Sequence, residues 1–307
     1  MSPDLDLVET RQDVDTLGDR EFLRRILLPI DGSASSLMAE ETAAKIAKRT
    51  GATVAVIHVV PETLSYEKLD YHNLPHDLVT EFLGHAEQEA EKIIGDAQAF
   101  FLKEGVKIDT RTLRSDDPAE SILEFLKNDY DLVVMGVHGE NEKDPYALGS
   151  VTKKVLSHAV CPTLVVKGVC SLFSLLVCID GSENSIKALD YAVKLAEKMG
   201  SKVTLLHVLD RKLQNFFPDL AEEMGERLLS KALEEVGEEE LKVDRRLEFG
   251  VPSDIIVEVA EKGNHDLIVL GRKGLGNVRR FLLGSVSDDV SHKSKTSVLI
   301  VPLKETT

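Results

Sequence analysis

The stretch DLIVLGRKGLGNVRRFLLGSVSDDVSHKSKTSVLIVP (Asp266–Pro302) contains two apolar runs, a glycine-containing loop and a polar segment. The runs DLIVLG and SVLIVP predict buried strands, and SVSDDVSHK between them predicts a short helix. A strand that continues through a helix into another strand is typical of a parallel βαβ unit. The stretch therefore predicts an α/β fold in which the glycine loop follows the carboxyl end of a strand.

The first half of the chain contains a second copy of this stretch, DLVVMGVHGENEKDPYALGSVTKKVLSHAVCPTLVVK (Asp131–Lys167). The spacing from Gly136 to Gly149 is the same as that from Gly271 to Gly284. Nearer the start of each copy, ILLPIDGSASS matches LLVCIDGSENS. These two segments lie further apart along the chain than the two glycine loops do. A tandem duplication follows, with about 14 more residues in the first copy. We expect these residues near 61–80, within PETLSYEKLDYHNLPHD, as a lid or a longer helical hairpin.

Each copy alternates strand-like runs with helical patterns. In the second copy, KVTLLHVL and LKVDRRLEFG predict strands, whereas ENSIKALDYAVKLAEKMG, LAEEMGERLLSKALEEVG and PSDIIVEVAEKG predict helices. This order predicts right-handed crossovers and parallel sheets that are covered on both faces. The predicted fold class is α/β, with two tandem open five-stranded parallel-sheet α/β sandwiches of the Rossmann-like kind. The expected domains are a tail at 1–22, one domain at 23–168 and another at 169–307.

Composition excludes several classes of protein. The net charge of −16 argues against a general binder of nucleic acids or membrane surfaces. The longest apolar-rich stretch, VCSLFSLLVCI, is too short to span a bilayer, and the acidic N-terminal stretch has no apolar run of a signal peptide. We therefore expect a cytoplasmic protein. Cys161, Cys170 and Cys178 form no CxxC pair, which favours buried, reduced thiols.

The glycine loop has the spacing G-x2-G-x9-G-S in both copies. Glycine allows backbone N–H groups to approach an anion closely, and Gly284-Ser285 opens a helix whose N-terminal end attracts phosphate. Ser285 and Ser287, like Ser150 and Thr152, offer further hydroxyl donors. The alternative is that these glycines are turn residues, because duplication also preserves a purely structural loop.

This glycine pattern, together with the aspartate of DGS after the first strand, resembles the universal stress protein family. The resemblance covers about residues 25 to 302 and points to the class of that family that binds ATP or AMP, with Mg²⁺ left open. It implies that base and ribose meet the ends of the first, second and fourth strands, and that phosphates meet the glycine loop and the helix after it. In the first copy these residues are Ile30, Asp31, His58, Val59, Met135, Gly136, Gly139, Gly149, Ser150, Val151 and Thr152. In the second copy they are Ile179, Asp180, His207, Val208, Leu270, Gly271, Gly274, Gly284, Ser285, Val286 and Ser287.

Two alternatives concern individual side chains. Asp31 and Asp180 are either ligands of the base and ribose or turn and helix-cap residues. His72, His76 and His85 lie in the longer part of the first copy, where solvated surface histidines are a better interpretation than a metal site. We predict no metal ligands.

The two loops differ in charge. ENEKDPYAL in the first copy has three acids and one lysine, whereas LGNVRRFLL in the second has two arginines and no acid. Lys273 adds a positive charge where the first copy has His138. Coulomb attraction therefore predicts tighter ATP binding in the second copy.

The last strand of each copy, in TLVVK and SVLIVP, is an apolar edge that invites pairing. In the resembling family this strand forms dimers, so we expect the two copies to pair within the chain, with a homodimer of whole chains as a further expectation.

Neither GxSxG nor GxxxxGK[ST] occurs, and we predict no catalytic residue. The expected function is a cytoplasmic stress-response protein that binds adenine nucleotide as a sensor or regulator, with an unknown protein partner. A slow ATPase or nucleotidyl enzyme is one alternative, and a scaffold with vestigial nucleotide pockets is the other.

Overall fold

A computed structural model of the chain describes residues 22–62, 76–139, 147–168, 170–236, 243–274 and 283–303. The first copy contains strands β1 (Arg25–Pro29), β2 (Thr53–Val60), β3 (Ile108–Arg114), β4 (Leu132–Gly136) and β5 (Thr163–Val166). Its helices are α1 (Ala34–Thr50), α2 (His76–Glu104), α3 (Pro118–Phe125) and α4 (Ser150–His158).

The second copy repeats this order with one additional short helix. Its strands are β6 (Ser174–Ile179), β7 (Lys202–Leu209), β8 (Val243–Phe249), β9 (Leu267–Gly271) and β10 (Ser297–Val301). Its helices are α5 (Glu183–Met199), α6 (Arg211–Phe216), α7 (Pro218–Val236), α8 (Pro252–Lys262) and α9 (Ser285–Lys293). The sequence did not predict α6.

The described strands form one ten-stranded sheet in the order β3-β2-β1-β4-β5-β10-β9-β6-β7-β8. Pairing is parallel within each copy, and helices connect the strands. The predicted α/β class with a tandem repeat is confirmed. In each copy the order reverses between the first and fourth strands, which is where open parallel sheets leave a crevice for ligands.

Local signals explain the first helix of each copy. Ser33 and Ser182 cap α1 and α5 by accepting the backbone N–H three residues later, at 3.2 Å in both. Gly51 and Gly200 end these helices with φ values of 77° and 70°, the left-handed conformation that glycine adopts without a steric penalty. Each helix packs on its sheet through a row of alanines and larger aliphatic residues.

The two copies meet where β5 pairs antiparallel with β10, with Val165 opposite Val298. Two basic side chains cross this junction. The buried Lys167 ammonium donates to the carbonyl oxygens of Ser291 and Ser294 at the end of α9, at 2.6 and 2.8 Å. The Arg272 guanidinium donates to the carbonyl oxygen of Ala159 at the end of α4. Each copy therefore places a cation at the C-terminus of the other copy's helix, where the backbone carbonyls and the helix dipole favour positive charge.

The extra residues of the first copy lie between β2 and β3. The spacing from Ile108, the first residue of β3, to Gly136 equals that from Val243, the first residue of β8, to Gly271, so the extra residues precede β3. Part of the difference is a longer helix, since α2 has 29 residues and α7 has 19. Residues 63–75, which include most of the expected lid and His72, lie outside the described residues.

Other expectations concern the cysteines and the terminal tail. All three cysteines are buried thiols outside any disulfide, as expected. In the described ranges, no helix has both the length and the apolar character needed to cross a membrane. Residues 1–21 of the expected tail lie outside the described residues, whereas Phe22 packs its ring 4.8 Å from that of Tyr191 on α5.

A buried carboxyl in the first copy generates a prediction about stability and pH. Glu40 on α1 is 4% exposed, and burial, followed by the negative charge of Asp96 on α2, raises its pKa to about 7. The equivalent position in the second copy is the fully buried Leu189. Since the folded state holds this proton more tightly than the unfolded chain, the Glu40 contribution to the free energy of unfolding falls as pH rises from about 4.5 to about 7.

Glu40→Leu should therefore stabilise the protein by about 2–3 kcal/mol near pH 8 and much less near pH 4.5. Urea unfolding at both pH values measures the difference. Glu41→Leu, which changes the exposed neighbour, is the matched control and should show no such pH dependence. Equal effects of Glu40→Leu at both pH values would contradict the assignment.

Candidate functional site

A cleft opens at the carboxyl ends of the strands in each copy. The cleft of the first copy, cleft one, has a volume of about 780 Å³, and that of the second copy, cleft two, about 250 Å³. Cleft one is lined by every residue predicted for the first copy: Ile30, Asp31, His58, Val59, Met135, Gly136, Gly139, Gly149, Ser150, Val151 and Thr152. Cleft two is lined by the predicted residues Ile179, Asp180, Val208, Leu270, Gly271, Gly274, Gly284, Ser285, Val286 and Ser287.

His207 is the predicted residue that does not line cleft two. It is 6% exposed, and its Nδ1 lies 2.8 Å from the carbonyl oxygen of Ile179. His58 makes the same bond to Ile30 at 2.8 Å but does reach cleft one. In both copies the imidazole therefore ties the second strand to the end of the first, because Nδ1–H donates to that carbonyl.

The turn after the first strand uses one oxygen of the aspartate. Oδ1 of Asp31 accepts the backbone N–H of Ser33 at 3.0 Å, and Asp180 accepts that of Ser182 at the same distance. The intervening Gly32 and Gly181 have φ values of 81° and 82°, a conformation that side chains resist. The interpretation of these aspartates as turn residues is therefore correct for Oδ1, whereas Oδ2 lies beside the glycine loop.

The loop needs glycines because its backbone lies very close to the residues that follow the first strand. A Cβ on Gly139 would lie 2.6 Å from Oδ2 of Asp31, and one on Gly274 would meet the same atom of Asp180. A Cβ on Gly271 would lie 2.7 Å from the backbone carbon of Asn184. None of these three has a positive φ, so close approach to neighbouring atoms, and not backbone conformation, requires glycine at these positions. Glycine at these positions allows the loop to pack against the turn that follows the first strand.

The helices α4 and α9 start at these clefts without a side-chain cap. Gly149 and Gly284 occupy the N-cap positions with extended backbone, and neither has a side chain that could accept an N–H. The first turn of each helix therefore presents backbone N–H groups that have no carbonyl partner within the helix. Ser150 and Ser285, the first helical residues, are exposed on the cleft walls. This arrangement suits a phosphate or another anion.

Two of the predicted hydroxyl donors have another role. Thr152 Oγ1 donates to the carbonyl oxygen of Gly136 at 3.0 Å, and Ser287 Oγ donates to that of Gly271 at 2.8 Å. Both residues are buried. Their hydroxyl hydrogens fasten the helix to the fourth strand, so the expectation that they donate to phosphate was wrong for these hydroxyls in the described arrangement. Their backbone N–H groups remain in the first helical turn.

The described walls of the clefts differ in charge. Cleft one is lined by the carboxylates of Asp31 and Glu89, and by His58 and His138, without a lysine or arginine among its described lining residues. Cleft two is lined by Asp180 and Lys273. Residues 140–146 and 275–282, which include Arg279 and Arg280, lie outside the described residues.

Sequence reasoning missed the wall that α2 contributes to cleft one. Phe82, Ala86, Glu89 and Ile93 line the cleft from this helix. Their spacing places them on one face of the helix. This face was not assigned to the site from the sequence, because the helix follows the segment by which the two copies differ in length. Pro252 and Ile256 on α8 were likewise missed in cleft two.

The close approach at Gly271 generates a stability prediction. Gly271→Ala should destabilise the fold by about 1–3 kcal/mol, because its Cβ would press on the backbone of Asn184 at the start of α5. Gly95→Ala is the control, since this exposed position within α2 has nothing within 4 Å of a Cβ and should gain about 0.5–1 kcal/mol. Urea unfolding measures both. Equal stability of Gly271→Ala and the unmodified chain would contradict the packing argument.

Comparison with known proteins identifies the relatives of this architecture. The universal stress protein family model matches residues 23–167 and again residues 173–302. A universal stress protein from Mycolicibacterium smegmatis is 30% identical over 288 residues, covering 90% of this chain and 96% of the relative.

A solved structure that covers most of this chain shows the same fold. A universal stress protein from Archaeoglobus fulgidus has a TM-score of 0.69 and 24% identity, covering 93% of this chain and all of that protein. A universal stress protein solved in complex with cAMP is 29% identical over 43% of this chain and 97% of its own, with a TM-score of 0.34. The two family matches and the full-length relative show that this chain belongs to the universal stress protein family.

Proposed function

We propose that the chain binds adenine nucleotide in its two clefts and acts as a nucleotide-responsive regulator. The observation that carries the proposal is the pair of uncapped helix N-termini, at Gly149 and Gly284, that open into clefts at the ends of parallel strands. Such a helix start offers several N–H donors and the positive end of a helix dipole to one anion.

The proposed placement of the ligand follows the chemistry of each cleft wall. In cleft one, Ile30, Val59 and Met135 provide an apolar surface at the strand ends that suits the faces of a base. The carboxylate of Asp31 offers an acceptor to the exocyclic amine of adenine or to ribose hydroxyls. The phosphates then extend towards Gly139 and the first turn of α4, and the equivalent residues of cleft two hold a second ligand in the same direction.

The proposal retains the charge asymmetry between the clefts. Lys273 lies on the wall of cleft two, whereas cleft one has Glu89 in addition to its aspartate. A triphosphate therefore favours cleft two, and cleft one favours a ligand with fewer phosphates. Mg²⁺, if it accompanies ATP, reduces this difference by neutralising phosphate charge.

A regulatory role is favoured over a catalytic one by the roles that the polar side chains already have. Asp31 and Asp180 hold the turn after the first strand, and His58 and His207 bond to a strand carbonyl. A general base needs an acceptor atom that is not already occupied and that lies within hydrogen-bonding reach of the reacting group. The acidic composition and the three buried thiols, none of them in a disulfide, favour a cytoplasmic setting for this regulator.

Aspartate substitutions at the two helix starts test the proposal. Ser285→Asp places a carboxylate at the first residue of α9, where acidic side chains stabilise helices but repel phosphate. ATP affinity at the tighter site should fall at least about tenfold by calorimetry, while the thermal midpoint stays unchanged or rises. Ser150→Asp should weaken only the looser site, and Ser285→Ala and Ser150→Ala are the uncharged controls.

The alternatives give different results in the same experiments. If adenosine, AMP and ATP all fail to bind and the purified protein releases no nucleotide on denaturation, the clefts are vestigial and the proposal is overturned. Steady phosphate release from ATP and Mg²⁺ that Ser285→Asp abolishes would instead establish an ATPase. Equal ATP affinity at both clefts would contradict the charge asymmetry alone.

A further inference from the structure

The helices α2 and α7 lie in equivalent positions beside the two clefts. Ile93 on α2 packs against Gly32, and Leu228 on α7 packs against Gly181, so that in each case a Cβ on the glycine would lie 3.1 Å from the isoleucine or leucine side chain. The two glycines belong to the turn that follows the aspartate of the first strand. These contacts make Ile93 and Leu228 equivalent, and this pairing fixes the alignment of the two helices.

One helical turn before this contact, the two copies carry different side chains. Glu89 on α2 lines cleft one. Its equivalent in this alignment is Met224 on α7, which is half-exposed and uncharged. One turn nearer the start of the helices, Ala86 matches Ala221, whereas Phe82 on α2 matches Phe217, which lies between α6 and α7. The charge at position 89 is therefore absent at the equivalent position of α7.

We infer that Glu89 sets the phosphate preference of cleft one, selecting adenosine or adenosine monophosphate over the triphosphate. This inference rests on the proposed function. The Glu89 carboxylate adds a second negative charge to a described lining that already includes Asp31 and has no lysine or arginine. It pairs with Lys92, whose Nζ lies 3.7 Å from Oε1, and both side chains are more than half exposed. Because Coulomb contributions add, removing the Glu89 charge changes the potential in the cleft by that charge's own contribution while the Lys92 charge stays in place.

The size of the effect follows from Coulomb's law. A carboxylate at about 10 Å from a ligand charge in water changes affinity roughly twofold per charge at low ionic strength. ATP carries about two more negative charges than AMP, so Glu89 should reduce the ratio of ATP affinity to AMP affinity roughly two- to fivefold. Adenosine, which is uncharged, should be indifferent to the residue.

Exchanging the two residues tests the inference. Ser285→Asp weakens phosphate binding at cleft two, so cleft one is measured in this background with AMP and ATP by calorimetry at low salt, and adenosine, which binds both clefts, is the uncharged control. Glu89→Met and Glu89→Gln should each raise the ATP to AMP affinity ratio roughly two- to fivefold and leave adenosine binding unchanged. The rise should shrink as salt is added, which a purely structural effect would not do.

The reverse exchange and a control complete the experiment. Met224→Glu in the Ser150→Asp background adds a charge on α7, and no α7 residue is among the described lining of cleft two, so it should change the ATP to AMP ratio at cleft two less than Glu89→Met changes it at cleft one. Glu91→Met removes the same charge from an exposed position of α2 that does not line the cleft, and should change the ratio less than Glu89→Met.

The possible failures are distinguishable. If adenosine, AMP and ATP do not bind the Ser285→Asp protein or the unmodified chain, the proposed function fails and the inference fails with it. If nucleotides bind, but Glu89→Met and Glu89→Gln give the same ratio as Glu91→Met, the proposed function stands and the role of Glu89 is overturned. Thermal unfolding of each variant shows that a changed ratio comes from a folded protein.

Discussion

The antiparallel pairing of β5 with β10 is the contact on which the rest of this structure depends. Both strands are buried along their full length and are composed mainly of apolar residues. As open edges of two separate sheets, they would leave backbone N–H and C=O groups unpaired within an apolar surface, a strong signal for aggregation. Pairing them with each other joins two five-stranded sheets into one and removes both edges.

This junction also supports the helices that form the clefts. Lys167 directly follows β5 and donates to carbonyl oxygens at the end of α9. Arg272 directly follows β9 and donates to a carbonyl oxygen at the end of α4. Each of these helices has its other end at a cleft. Because a cation at the C-terminus complements the helix dipole, the contact between the copies stabilises the elements that present N–H groups to an anion. Lys167 and Arg272 thus each bond to the helix of the opposite copy and not to that of their own copy.

The sequence predicted the strands and the clefts well because their signals are local. Continuous apolar runs mark strands that are buried on both faces, and the duplication allows each element to be checked against its counterpart. The parts that it did not predict depend on distances between segments. The packing of Gly271 on Asn184, the bond from Ser287 to Gly271 and the α2 wall of cleft one join residues that are distant along the chain. Periodicity cannot report which segments meet.

The two copies also show why membership of this family leaves the choice of ligand open. The elements proposed to bind an anion consist mainly of backbone: a helix start after glycine, and a loop that needs glycine where it approaches the aspartate. Many substitutions elsewhere leave these elements intact, so a duplicated cleft keeps its shape while its walls change. On the proposed role of Glu89, ligand preference depends on the few side chains that line each cleft from neighbouring helices, where one copy has Glu89 on α2 and the other has Pro252 and Ile256 on α8. Because such positions lie outside the glycine motif, two clefts with the same motif can differ in the number of phosphates that they favour.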